Sequence, residues 1–273
     1  MKKNALRSLI IIITLTLAIG SLGVSGALRT ADSRSINARA QVSEFQPENA
    51  SPSPTPCPRG ADATTALKCL EEGNVRWQRW QTMKRRNWSD ERAANSPPKE
   101  QHPFAVVISC MDSRVPPELI FDQGLGDIFV IRVAGPVLGP DELASLEYAI
   151  VVKHVNLVVV LGHTNCGAVE AAAARPLGTT GDGTYLPELL DKIEPAVKWV
   201  SEKYKVPLPI SKEDQKNLSR VSTANARIVR DRIRGDPALR RAGVDVTWGL
   251  YYLRCGKVAF KPGDVVPDPC LTP

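Results

Sequence analysis

Three short runs of continuous apolar, largely β-branched residues constrain this chain more than any other feature: Phe104–Ser109, Ile128–Ile131 and Leu157–Leu161. A strand with one wet face alternates apolar and polar residues. An unbroken run marks a strand covered on both faces, as in a parallel sheet between layers of helices.

Segments of helical period separate or follow these runs. Pro140–Ile150 sets Leu143, Leu146 and Ile150 at spacings of three and four, with Asp141 and Glu142 in its first turn, and reads as a crossover helix. Gly167–Ala174 opens an alanine-rich helix, Leu186–Val206 predicts another, and Ala224–Arg234 a further one ending near Gly235. Val244–Leu253 predicts a strand running into a Cys255-Gly256 turn, and Gly178–Gly183 a glycine-rich loop. Upstream, Ala66, Leu67, Leu70, Val75 and Trp77, broken by Gly73, predict a short helix and then a second helical piece through Arg85, an arm ahead of the main domain. The expected fold class is α/β, a mainly parallel β-sheet flanked by helices with an N-terminal helical arm. Ligands in such sheets gather outside the carboxyl ends of the strands.

Two compact motifs stand at such ends: Cys110-Met111-Asp112-Ser113-Arg114 and His163-Thr164-Asn165-Cys166. Zinc is borderline-soft and tetrahedral, so thiolate sulfur and imidazole nitrogen are its preferred protein ligands. Taken singly, Cys110 and Cys166 read as small core residues and His163 as a satisfied buried histidine. Taken as a set at two strand ends they read as three zinc ligands. Structural zinc sites close with four Cys or His ligands, and no fourth is at hand: His102 stands at the wrong end of its strand and His154 at the end of the crossover helix. Three firm ligands leave a position for water or substrate, which is a catalytic arrangement. Asp112 and Arg114 are two residues apart, so a guanidinium can grip an ionised carboxylate beside the cation. A generic Asp-x-Arg reads as a salt bridge; beside a candidate zinc ligand the functional reading is the stronger.

The first residues have a different character. Lys2, Lys3 and Arg7 precede an apolar run from Leu9 to about Gly20, followed by Ser25-Gly26-Ala27, the parts of a secretory signal with cleavage expected near Ala27. An uncleaved anchor is the rival reading, since the segment reaches the length that can span a bilayer, and a membrane is a partner only in that case. Loss of residues 1–27 lowers the formal charge from +6 to +3 by removing Lys2, Lys3 and Arg7, too small a bias to imply nucleic acid. Closely spaced prolines from Gln46 to Gly60 forbid a helix and predict an exposed linker. The expected organisation is residues 1–27 signal peptide, 28–60 Pro-rich disordered linker, 61–260 catalytic domain and 261–273 C-terminal tail. Export to the periplasm or the exterior puts six cysteines in an oxidising compartment. Two are taken by the metal hypothesis; Cys57, Cys69, Cys255 and Cys270 are left to form one or two disulfides, with three pairings open. A thiol-redox role is disfavoured because Cys110 and Cys166 make no Cys-x-x-Cys pair.

With both motifs in hand, the sequence resembles the β-class carbonic anhydrases. The resemblance runs from about Ala61 to Val258 and includes Arg114-Val-Pro-Pro-Glu-Leu119, Asp127–Gly135, Ser145–Ala149, Leu161–Ala168 and Gly249–Leu253. It implies one Zn2+ per subunit on Cys110, His163 and Cys166, and reversible hydration of CO2 to bicarbonate and a proton by zinc-bound hydroxide. Asp112 either joins the zinc as a fourth ligand in a closed state or is held off it by Arg114. It further implies a homodimer or dimer of dimers with the N-terminal arm on the partner, Tyr148 and Gly167 in the substrate pocket, and Gln123 near the position of an active-site glutamine. Two departures stand out. Val107 replaces the tryptophan found in members with a second, inhibitory bicarbonate site, so no such site is expected. Pro136 replaces a common asparagine and predicts a modest change of loop geometry. The alternatives are a zinc hydrolase of the same fold acting on CS2 or COS, and a non-catalytic zinc-binding oligomeric protein.

Overall fold

The computed structural model describes residues 57–79, 101–178, 185–263 and 269–270. Its centre is a five-stranded sheet of order β2-β1-β3-β4-β5, formed by β1 (Ala105–Cys110), β2 (Ile128–Val133), β3 (Leu157–His163), β4 (Asp245–Tyr252) and β5 (Lys257–Phe260). The first four strands are parallel to their neighbours, and β5 returns antiparallel to β4. The apolar runs behave as their composition dictates: β1 and β3 are buried at every residue, because helices cover both faces. Strand β2 lies at the edge and is only partly covered.

Eight helices accompany the sheet among the described residues: α1 (Ala63–Gln78), α2 (Pro117–Ile120), α3 (Pro140–Glu147), α4 (Gly167–Ala173), α5 (Tyr185–Asp191), α6 (Glu194–Tyr204), α7 (Gln215–Gly235) and α8 (Pro237–Arg241). Val107, Val159 and Leu161 pack on one face with Leu70 of α1, Val169 of α4 and Val197 of α6. Val106, Ile108, Val158 and Val160 pack on the other with Leu146 of α3 and Val229 and Ile233 of α7. Helix α7 feeds both clusters, giving Leu218, Val221 and Ala224 to the first, and packs against β3 and β4.

Several expectations are corrected. Gly73 does not break the first helix but lies inside α1, where a Cβ would come within 1.8 Å of the Phe121 carbonyl oxygen; glycine is there for close approach, not for a turn. Leu186–Val206 is two helices, because Pro195 lacks the amide needed to continue one and instead sits in the first turn of α6. Helix α7 begins at Gln215, capped by the Asp214 carboxylate on the Asn217 amide, well before Ala224. The crossover helix ends at Glu147 and passes into a π-turn over Tyr148–Val152, so His154 lies beyond it with φ 56°. The β5 strand, α2 and α8 were not anticipated: all three are too short for periodicity to show.

Helix α1 packs on its own chain. Buried Asn74 donates to the carbonyls of Ile120 and Gly256 and accepts from Val258 N at 2.8 Å, while Arg76 pairs with Asp122 at 2.5 Å. Of the three open cysteine pairings, the structure takes Cys57–Cys69 and Cys255–Cys270, leaving Cys110 and Cys166 as buried thiols. No helix among the described residues is long and apolar enough to cross a membrane. The signal segment, most of the linker, the helical piece through Arg85, most of the glycine-rich loop and most of the C-terminal tail lie outside the described residues.

Candidate metal centre

Strands β1 and β3 are hydrogen-bonded neighbours, with Ser109 opposite Leu161, so Cys110 and His163 emerge side by side at the same edge of the sheet. Asn165 takes a left-handed turn, φ 54°, and swings Cys166 back toward His163 ahead of α4. Asparagine tolerates that backbone better than most residues. The result is a cluster in which the ligand atoms of Cys110, His163 and Cys166 all lie within 4.8 Å of one another.

The cluster suits a zinc ion on three counts. The two sulfurs are 3.9 Å apart, and tetrahedral zinc with Zn–S bonds of about 2.3 Å requires roughly 3.8 Å. His163 is 1% exposed, its Nδ1 lies 2.9 Å from the Thr164 carbonyl oxygen, and its Nε2 is buried without a partner among the described residues. An Nδ1–H donating to Thr164 fixes the tautomer that aims a lone pair from Nε2, as histidine ligands require. Finally, the sulfurs are 4% and 2% exposed at residue level, dry enough to make charge–charge attraction strong. The Cys110 thiol is held well below its ordinary range, chiefly by its hydrogen bond with the Cys166 thiol, then by His163 and the Gly135 amide, against the cost of burial. Cys166 is pushed up by that same partnership and by burial, with the Ala168 and Val169 amides at the head of α4 opposing the rise. One member of the pair is thus a thiolate ready to ligate.

Asp112 stands beside the cluster and not in it. Arg114 grips its carboxylate three times: backbone N to Oδ1 at 2.9 Å, Nε to Oδ1 at 2.9 Å and Nη2 to Oδ2 at 2.7 Å. That grip, opposed by desolvation, holds Asp112 down to about 2, and the Arg114 guanidinium is raised in turn by the same bonds. Arg114 Nη2 also reaches the Asn165 carbonyl at 3.2 Å, tying one motif to the other. The geometry is therefore the Arg-held one of the two arrangements considered for Asp112.

Other expected residues fall as follows. Tyr148 is 48% exposed on the outer side, edge-on to Phe129 of β2, and lies outside the three-residue cluster. Gly167 begins α4 directly behind Cys166, and a Cβ there would meet nothing within 4 Å. Gln123 spends its amide on the Phe121 carbonyl against α1, where it also limits Gly73. Val107 is a core residue of β1.

The supporting groups were not legible beforehand. Arg132 of β2 donates to the carbonyls of Cys110 at 3.0 Å and Asp112 at 2.5 Å, clamping the turn that carries both. The Gly135 amide donates to Cys110 Sγ at 3.3 Å, Ser222 Oγ of α7 to the His163 carbonyl at 2.9 Å, and Asn225 Nδ2 of α7 to the Pro136 carbonyl at 2.9 Å. The available signal was the polar, small-residue block Ser222-Thr223-Ala224-Asn225 in the middle of a core-facing helix.

Comparison with known proteins agrees with this geometry. A family model for carbonic anhydrase matches residues 105–258. Carbonic anhydrase 2 of Mycobacterium tuberculosis is 45% identical over 132 residues, 48% of this chain and 63% of that protein. The carbonic anhydrase of Mycolicibacterium smegmatis is 41% identical over 138 residues, 50% of this chain and 66% of that protein. The chain thus spans a little under two thirds of the length of these relatives. Among solved structures, one of two tetrameric β-carbonic anhydrases from Sordaria macrospora superposes with a TM-score of 0.54 at 22% identity, covering 72% of this chain and 97% of that one. The β-carbonic anhydrase CcaA gives 0.52 at 25% identity, covering 72% and 88%. From the matched span, which contains both motifs and all five strands but for the last residues of β5, the chain belongs to the carbonic anhydrase family, in its β class.

Proposed function

We propose that this chain catalyses the reversible hydration of CO2 to bicarbonate and a proton, with one zinc ion per subunit held by Cys110, His163 and Cys166. The observation that carries this reading is the convergence of those three ligand atoms beside an ionised carboxylate that is held away from them. A site meant only to bind metal has no use for such a carboxylate. Cys110, His163 and Cys166 would hold the ion, which would supply Lewis acidity that lets water ionise near neutral pH, the property for which carbonic anhydrase is the standard example.

The chain's own groups do the rest. The sheet edge and α4 hold the two sulfurs and the imidazole in place, and their burial keeps competing water out. Arg114 keeps Asp112 ionised and turned aside. Asp112 Oδ1 already accepts two hydrogens from Arg114, whereas Oδ2 accepts one, which leaves Oδ2 a lone pair for a hydrogen on the attacking water or on bicarbonate. The carboxylate thereby orients the nucleophile and selects a reactant that carries an acidic hydrogen.

The same reading includes assembly and location. A homodimer or dimer of dimers is supported by the edge position of β2, by exposed Val151 and Val152 and by exposed Tyr148 edge-on to Phe129, and by the tetrameric Sordaria proteins. Export is supported by the signal-like first residues and by two disulfides, with a catalytic domain over 61–260. Stopped-flow proton release tests the catalytic claim: zinc-loaded protein should accelerate CO2 hydration, and Asp112→Ala should lose most of that acceleration at unchanged zinc content. Equal rates for the two proteins would remove the role assigned to Asp112.

A further inference from the structure

Asn225 is buried in the middle of α7, 1% exposed, and its side chain is only half satisfied: Nδ2 donates to the Pro136 carbonyl at 2.9 Å, while Oδ1 has no partner among the described residues. A leucine of similar size would fill the space without burying an unpaired oxygen. An amide kept at that cost is kept for the one bond it makes.

That bond lands on the Gly135-Pro136 turn. Gly135 sits at φ 60° and a Cβ there would come within 2.7 Å of Ile193 and 3.1 Å of Ala168, so the turn is wedged between α4 and the start of α6. Pro136 has a locked φ and no amide to donate. Its carbonyl is the handle by which α7 holds the turn, and the next amide back, that of Gly135, is the donor to Cys110 Sγ at 3.3 Å. One turn of α7 earlier, Ser222 holds the carbonyl of His163 in the same fashion. A single face of one helix therefore supports the backbone that carries His163 and the turn whose amide reaches the Cys110 sulfur.

We propose that Asn225 is a positioning residue for the metal centre: by holding the Pro136 carbonyl it fixes the Gly135 N–H on the Cys110 sulfur, and so sets the charge that this sulfur donates to the ion. A hydrogen bond to a ligating thiolate draws charge from it and also fixes its direction toward the ion; losing that orientation weakens binding, and outer-shell bonds of this kind are typically worth about 10–100-fold in metal affinity. Because Asn225 acts through a turn and not on the ligand, the low end applies. The inference rests on the zinc reading above but not on the identity of the substrate.

The test uses the full chain, native and Asn225→Leu, titrated with cobalt and with zinc after chelation. Asn225→Leu should bind zinc about tenfold more weakly and shift the thiolate-to-cobalt charge-transfer band, while its melting temperature without metal stays near that of native protein. A merely structural role would lower the melting temperature and leave the affinity and the band unmoved; that result overturns the inference. Should Asn225→Leu fail to fold, native protein loaded with an NMR-active cadmium isotope decides: the Gly135 amide proton should show scalar coupling to the metal, and its absence overturns the inference. A weaker-binding Asn225→Leu with a shifted band, beside native protein that hydrates no CO2, refutes the catalytic reading and upholds this one; native protein that takes up no metal overturns both.

Discussion

Replacing Arg114 with alanine separates what the Asp112–Arg114 pair does for folding from what it does for the site. The change spares the backbone contact to Asp112 and removes two side-chain bonds to the carboxylate and the bridge to the Asn165 carbonyl. Buried bonds to a charged group contribute about 1.5–3 kcal/mol each, but the Arg114 side chain is 56% exposed, and screening limits such ion pairs to about 1 kcal/mol. Adding the longer bond from the same exposed guanidinium to the Asn165 carbonyl, discounted for screening, brings the total near 1.5 kcal/mol. That lowers the melting temperature by only about 3–6 °C in a domain of this size. The same energy restrains Asp112, so its loss should cut the properly held population, and with it kcat/KM for hydration, about tenfold. Stopped-flow hydration and calorimetry on the same zinc-loaded preparations measure both. If the pair acts as a unit, adding Arg114→Ala to Asp112→Asn should cost nothing further. Hydration unchanged in Arg114→Ala at full zinc occupancy would refute the reasoning, as would a fully additive double variant.

Three further outcomes follow from the fold. Gly73→Ala improves helix propensity on paper yet should destabilise by about 1–3 kcal/mol or more in a denaturant titration, because the added Cβ meets the Phe121 carbonyl oxygen at 1.8 Å; a gain in stability would show that α1 is not docked there. Denatured, chelated and unreduced protein should expose two reactive thiols, Cys110 and Cys166, and a count of six by thiol titration would contradict both disulfides. Asp62 caps α1 through the Thr65 amide and is held below its ordinary range by that bond. Its contribution is then present above the unfolded carboxyl value of about 3.9 and is lost as pH falls through the lower folded value. The melting temperature gap between native and Asp62→Ala protein should accordingly close on acidification, and a gap that widened would reverse the assigned sign.

The sheet was legible because burial on both faces writes itself as an unbroken apolar run, and β1 and β3 differ from Phe104–Ser109 and Leu157–Leu161 only at their ends. The ligands were legible for a related reason: Cys110, His163 and Cys166 sit at or just past those ends, where residue type alone marks them. What stayed hidden depends on contacts distant in sequence. Gly73 looks like a helix breaker until Phe121 is placed against it, and Asn225 looks like an exposed polar residue until Pro136 arrives beneath it. The split between α5 and α6 was readable at Pro195 and was lost to an apolar pattern that spans both helices. Strand β5 is four residues long and gains its identity only by pairing with β4.

The most direct test of the central claim is CO2 hydration measured while zinc is stripped by a chelator and returned in known amounts. The account predicts activity that vanishes on chelation and returns in proportion to zinc, levelling off at one ion per chain. Protein holding one zinc ion per chain that hydrates CO2 no faster than buffer would contradict it.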